Sequence, residues 1–220
     1  DFNLMPKETM AQTTHYFVES IHRRDNHLSV GFLGISHLLP ALTKCGQNEL
    51  AFTLLEQKGN PGWLYSVING ATTIWERWNS YIAETGTFGD VSMNSFNHYA
   101  YGSIGQWLYR TVLGIQTGEN ADEAGYHKIF LTPSWGGTLT YAKGEQKTPF
   151  GKIASSWEKK DNSIVYHCTI PANTTAHLTL PASGHNSVQI LEGAAITDTA
   201  AVSGVADFEL VSGSYTFKIC

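Results

Sequence analysis

The chain of 220 residues and 24.2 kDa is long enough for one large or two modest domains, and an apolar fraction of 42% with only 15% charged residues supplies ample buried cores. Its net charge of -5, from 14 basic and 19 acidic residues, provides no concentrated positive face, so nucleic acid is excluded as a partner and Arg23-Arg24 and Lys159-Lys160 read as solvated surface. No window is long and apolar enough for a membrane segment, and Asp1-Phe2-Asn3-Leu4-Met5-Pro6 shows neither the basic start nor the apolar run of a signal peptide, so no compartment is assigned.

From residue 7 to residue 115 the apolar side chains fall at helical intervals, and about five helical segments are expected. Pro6, Gly46, Gly59-Asn60-Pro61-Gly62 and Gly86 punctuate them. The last helix carries Ile104, Trp107, Leu108, Thr111, Val112 and Ile115, with Ser95 available as its cap. Beyond Gly114 the period becomes two. The runs 128–132, 163–170, 176–180, 187–191, 208–211 and 215–219 are β-branched or aromatic and separated by Pro, Gly, Asn and Asp, the pattern of an antiparallel β-sandwich. The change lies near Gly118-Glu119-Asn120-Ala121-Asp122, which divides the chain into 1–117 and 118–220.

Cys45, Cys168 and Cys220 are an odd, scattered set without CxxC spacing, and read as buried or free thiols. His15, His22, His27 and His37 fall at no metal-ligand spacing. Neither a metal nor a cofactor is expected.

The chemistry concentrates in Gly70-Ala71-Thr72-Thr73-Ile74-Trp75-Glu76-Arg77-Trp78, where one carboxylate lies between two indoles. Aromatic walls desolvate a carboxylate and raise its pKa, and they also make a platform for the apolar patches of a sugar ring. Arg77 acts the other way, keeping Glu76 ionised, which suits a general base. The competing reading makes Trp75 and Trp78 the buried stripe of a helix and Glu76 and Arg77 an ion pair. A second cluster, Ser92-Met93-Asn94-Ser95-Phe96-Asn97-His98-Tyr99-Ala100-Tyr101-Gly102, reads as a loop entering a helix, and the two clusters together suggest a carbohydrate pocket.

The ordered blocks Gly31-Phe32-Leu33-Gly34, Trp63-Leu64-Tyr65, Gly70 to Trp78, Ser92 to Gly102 and Trp107-Leu108-Tyr109-Arg110 resemble the C-terminal portion of bacterial α-L-rhamnosidases of glycoside hydrolase family 78. The resemblance continues through Gly136-Gly137-Thr138-Leu139-Thr140-Tyr141-Ala142, Pro149-Phe150-Gly151-Lys152-Ile153 and Ile170-Pro171-Ala172-Asn173-Thr174-Thr175-Ala176. It implies an inverting enzyme that releases terminal α-L-rhamnose from glycosides, with its pocket in an (α/α)6 barrel followed by an antiparallel β-sandwich. Inversion needs one carboxyl group to protonate the leaving oxygen and another to activate water. The resemblance implies that Glu76 is the general base and that His98 lines the sugar pocket, while the aromatic faces of Trp75 and Trp78 are expected, from their residue type, to contact substrate. The family's general acid belongs to an earlier acidic motif that no segment here matches. Ile35-Ser36 and Asn79 depart from the family pattern, the latter removing a charge near Glu76.

Five helical segments are too few for a whole (α/α)6 barrel, so the chain is expected to be the C-terminal part of a larger enzyme whose N-terminal part is its partner. Alone it is expected to self-associate or to leave a large apolar surface. The scattered aromatics of 118–220, among them Trp135, Trp157 and Tyr141, favour a structural β-domain over an independent carbohydrate-binding module. Asn173-Thr174-Thr175 fits a glycosylation sequon but reads as a strand turn. The alternative function is a non-catalytic carbohydrate-binding protein using the same aromatic pocket.

Overall fold

The computed structural model describes residues 5–118, 120–182, 187–193, 196–198 and 204–220, the strand 196–198 by its backbone. The first four residues, part of the segment tested for a leader, and Glu119 of the expected boundary lie outside the described residues. The chain forms two compact units, one of residues 1–105 with 136–138, the other of residues 106–135 with 139–220.

The first unit is helical at its start. Helices α1 (Met10–His22), α2 (Phe32–Lys44), α3 (Asn48–Leu55) and α4 (Trp63–Ile68) succeed one another along the chain. Ile35, Leu38, Leu39 and Leu42 recur at spacings of three, one and three, which gathers them on the buried face of α2 despite Pro40 inside the helix. Gly46 ends that helix with φ of 73°, and the Gln47 N–H reaches back to the Leu42 carbonyl at 2.8 Å, occupying an acceptor the helix end would leave open. Leu50, Ala51, Phe52 and Leu54 bury α3.

Gly136-Gly137-Thr138 belongs to this unit. Glu56, capping the end of α3, accepts the Thr138 N–H at 2.9 Å and the Thr138 hydroxyl at 3.0 Å. Gly137 has a φ of 53°, in the left-handed region that favours glycine, and a Cβ there would lie 2.7 Å from the Glu56 carboxylate oxygens, which would have to move. Residues 69–99 contain no helix. Their one regular element is the short hairpin β1 (Tyr81–Ile82) and β2 (Thr87–Phe88).

The second unit opens with the end of α5 (Ile104–Trp107), which widens into a π-helical turn over Leu108–Val112. Ten strands complete it: β3 (Ile115–Thr117), β4 (Lys128–Leu131), β5 (Tyr141–Thr148), β6 (Gly151–Lys160), β7 (Ser163–Ile170), β8 (Thr175–Pro181), β9 (Val188–Glu192), β10 (Ile196–Asp198), β11 (Val205–Leu210) and β12 (Gly213–Ile219). They make two five-stranded sheets, ordered β10-β11-β8-β4-β3 and β5-β6-β7-β12-β9. The pairing is antiparallel, as the sequence implies, except between β4 and β8, which run parallel. Alternation buries one face of each sheet, with Ala176, Leu178, Leu180, Ala206, Phe208 and Leu210 in the first and Tyr166, Cys168, Tyr215 and Phe217 in the second. The Phe208 and Phe217 ring centroids lie 5.1 Å apart, joining the two faces into one core.

Trp157 and Ser155 tie β6 to the π-helical turn. The indole N–H donates to the Val112 carbonyl at 2.9 Å and the Ser155 hydroxyl to the Leu113 carbonyl at 2.6 Å. At the turn between β7 and β8, Asn173 has φ of 58° and Thr174 bonds back to the Pro171 carbonyl at 2.7 Å, a strand turn as the sequence implies. Among the described residues no helix is long and apolar enough to cross a membrane.

Candidate functional site

Helix α4 ends where Gly70 turns the chain with φ of 86°, its N–H bonded to the Val67 carbonyl at 3.0 Å. Residues 71–78 are not helical, so Trp75 and Trp78 form no helical stripe. Instead the segment carrying Glu76 lies against the segment carrying His98. The Glu76 N–H donates to the Ser95 carbonyl at 2.8 Å and the His98 N–H to the Ile74 carbonyl at 2.8 Å, while the Thr73 hydroxyl donates to the Phe96 carbonyl. These cross-links satisfy backbone groups that a helix would have satisfied internally, and they bring the two sequence clusters together.

Glu76 is half-buried. Its Oε2 accepts the Ser95 N–H at 2.7 Å, and no other hydrogen bond reaches its carboxylate from the described residues. One oxygen is therefore anchored and the other is left to accept a proton or a donor from outside. Arg77 makes no ion pair with Glu76. Its guanidinium lies 3.9 Å from the Asp90 carboxylate, so the paired-ion reading of the motif does not hold. Asp90 is in turn held below the ordinary carboxylate range, chiefly by the Ser92 hydroxyl at 2.6 Å, then by the Ser92 N–H at 2.9 Å and by Arg77.

The two tryptophans are built into the packing. Trp75 is buried and meets Phe96 edge to face at 5.4 Å. Trp78 stacks on Tyr101 with centroids 3.7 Å apart and planes 6° from parallel, and its indole N–H donates to the Val30 carbonyl at 3.0 Å. Trp63 closes the cluster, edge-on to Trp78 at 5.4 Å and donating to the Tyr101 carbonyl at 3.0 Å. Burial pushes the Tyr101 phenol above its ordinary pKa, with Arg77 opposing and the Glu76 charge adding to that effect.

His98 lies between two rings, stacked on Phe32 at 4.7 Å and on Tyr99 at 5.1 Å. Its Nδ1 accepts the Ala100 N–H at 3.3 Å, which leaves the proton of the neutral ring on Nε2 as a donor. That contact lies at the start of the 3₁₀ turn Ala100–Ser103. Ser95 does not cap this turn. Its hydroxyl accepts the Asn97 N–H at 3.1 Å, and its main chain serves Glu76 instead.

Residue type and spacing alone do not single out Phe32, Tyr101 or the Ser95 main chain. Phe32 and Tyr101 fall inside the blocks of family resemblance, which is the signal that points to them. A main-chain donor leaves none.

The segment thus offers one carboxylate oxygen uncommitted among the described residues and one imidazole donor among stacked aromatics. Residues 1–112 match the bacterial alpha-L-rhamnosidase 6 hairpin glycosidase domain, and residues 114–195 match the bacterial alpha-L-rhamnosidase C-terminal domain. The chain belongs to the bacterial α-L-rhamnosidase family. It is 40% identical over 217 residues to an α-L-rhamnosidase of Streptomyces avermitilis and 40% identical over 189 residues to one of Formosa agariphila, covering 99% and 86% of this chain. It spans 20% of the length of each of these curated relatives.

Among solved structures, the S. avermitilis α-L-rhamnosidase complexed with L-rhamnose superposes with a TM-score of 0.90 at 39% identity, over 99% of this chain and 20% of that one. The α-L-rhamnosidase of Dictyoglumus thermophilum gives 0.81 at 29% identity, over 99% of this chain and 24% of that one.

Proposed function

We propose that this chain carries the general base of an inverting α-L-rhamnosidase. Glu76 takes a proton from a water that attacks the anomeric carbon on the face opposite the leaving oxygen, and His98 donates from Nε2 to a hydroxyl of the rhamnose ring. The observation that carries this reading is the asymmetric anchoring of Glu76, whose Oε2 is fixed by the Ser95 N–H while the other oxygen is uncommitted among the described residues. Trp75 and Trp78 shape the pocket wall through their packing on Phe96 and Tyr101.

Asp90, the other carboxylate tied to this loop, is kept ionised by Ser92 and makes a poor proton donor. The general acid is therefore assigned to another part of a protein of the relatives' length. Helices α1 to α5 are read as part of an (α/α)6 barrel spanning 1–117, with 118–220 as the β-sandwich domain. Exposed apolar side chains in the first unit support this arrangement. Leu33 is 92% exposed, and Val91 and Tyr99 are each 84% exposed, as expected of faces that further helices cover.

The test is the activity of the 220-residue chain alone on a natural rhamnoside and on an aryl rhamnoside with a good leaving group. Acid catalysis is worth about 10²- to 10⁴-fold, so the natural glycoside is expected to survive. Efficient cleavage of it would place both catalytic carboxyl groups within this chain and overturn the assignment. Binding of rhamnose by a full-length protein that hydrolyses neither substrate would favour the non-catalytic sugar-binding reading.

A further inference from the structure

The second unit holds a cleft of about 260 Å³ that takes no part in the chemistry of Glu76 and His98. Its walls include Gln106, Tyr109, Arg110, Gln116, Tyr126 and Gln146. Tyr109 and Arg110 come from the π-helical turn Leu108–Val112. Such turns give up regular helical bonding to re-aim side chains, and they recur at functional sites. Tyr126 is in the left-handed region with φ of 68°, directly after Gly125 at 82°. A bulky residue there is strained, and such strain concentrates at ligand sites.

The polar groups of the cleft are arranged as well as present. Gln116 donates both to the Arg110 carbonyl at 2.9 Å and to the Thr132 hydroxyl at 2.6 Å, which fixes its amide and leaves its oxygen as an acceptor. Nearby acids are committed elsewhere. Glu123 holds Lys128 at 3.2 Å and Asn120 at 3.0 Å, and Glu145 holds Lys152 at 2.8 Å. Arg110 is exposed and has no ion-pair partner among the described residues.

We propose that this cleft binds a single sugar ring bearing a carboxylate, with Arg110 on the carboxylate, Tyr109 and Tyr126 against the ring, and the glutamine amides on its hydroxyls. The planar guanidinium fork matches a carboxylate bidentately, tyrosine faces suit the apolar side of a sugar, and primary amides both donate and accept. The volume lies just below the roughly 300–1,000 Å³ of sites for larger ligands, which fits one ring rather than a chain. This site is independent of Glu76 and of the scattered sandwich aromatics.

Titrating the 220-residue chain with D-glucuronate, and separately with D-glucose and acetate, while following amide and side-chain NMR signals tests the proposal. Glucuronate is expected to shift Tyr109, Gln116 and Tyr126 saturably, with glucose and acetate weaker by about tenfold or more because each lacks half of the recognised chemistry. Arg110→Lys keeps the charge but loses the fork and should weaken glucuronate by about tenfold, whereas Glu76→Gln should leave it unchanged. Absence of saturable shifts at these residues, acetate binding as tightly as glucuronate, or undiminished binding by Arg110→Lys would overturn it.

Discussion

Glu76 and Ser95 hold each other twice: the Ser95 N–H donates to Glu76 Oε2 at 2.7 Å and the Glu76 N–H donates to the Ser95 carbonyl at 2.8 Å. Both links to Ser95 are made by its main chain, so the identity of its side chain matters less than its amide proton.

That distinction gives the first prediction. Ser95→Pro deletes the N–H and leaves a half-buried carboxylate without its anchor, so the 220-residue chain should lose roughly 1.5–3 kcal/mol, the usual worth of a hydrogen bond to a charged group. Ser95→Ala removes only the contact to the Asn97 N–H and should cost about 1 kcal/mol or less. Urea denaturation of both variants reads the difference. Equal destabilisation would mean that the anchor contributes nothing.

Trp75 and Trp78 separate packing from binding. Trp75 is buried against Phe96, so Trp75→Ala should destabilise by about 3–5 kcal/mol. Trp78→Phe keeps a ring on Tyr101 but loses the bond to the Val30 carbonyl, and should cost about 0.5–1.5 kcal/mol. Thermal unfolding measures both. A fully stable Trp75→Ala protein that no longer binds rhamnose would make Trp75 a substrate contact rather than a wall.

How much of the fold is legible in the sequence turns on the range of the interactions concerned. The strand runs 163–170, 176–180 and 187–191 correspond closely to β7, β8 and β9 because alternation is a local property of the chain. Strands β5 and β6 escape the same reading. Tyr141–Thr148 is rich in Lys, Glu and Gln, and Gly151–Lys160 places Ser155 between Ile153 and Trp157 on its buried face, so the apolar signal is diluted where the Ser155 hydrogen bonds to Leu113 and Tyr166 replace it.

At the site, Glu76 and His98 stand out by residue type and by family resemblance. The pairing of residues 74–76 with 95–98 does not, because it closes a loop through main-chain groups that every residue has. Arg77 shows the same limit. Adjacent in sequence to Glu76, it pairs with Asp90 thirteen positions on, and nothing local selects that partner.

Cys168 supplies a pH prediction. Burial pushes its thiol up to about 12, so it stays protonated in the folded chain while an unfolded cysteine ionises at about 8.5. The folded state then binds more protons than the unfolded state above that pH. The associated stability is complete below about pH 8.5 and is lost progressively as pH rises toward the folded value. Cys168→Ala should flatten this alkaline loss in urea unfolding between about pH 8 and 10. A thiol reagent at neutral pH should label exposed Cys220 quickly and Cys168 only after unfolding. Rapid labelling of Cys168 in the native chain would contradict its burial.

The central claim is that Glu76 is the base. In an enzyme of the relatives' length carrying this chain, Glu76→Gln keeps the side-chain shape and can still accept the Ser95 N–H, but it removes the proton acceptor. Turnover should fall by about 10²-fold or more with little change in rhamnose binding, whereas His98→Ala should act mainly on substrate capture, by roughly 1–3 kcal/mol. Steady-state kcat and KM on a natural rhamnoside, with rhamnose binding measured on the same folded proteins, is the deciding measurement. A Glu76→Gln enzyme that turns over at close to the normal rate would mean that the base lies elsewhere and that the Trp-Glu-Arg-Trp segment only builds the wall.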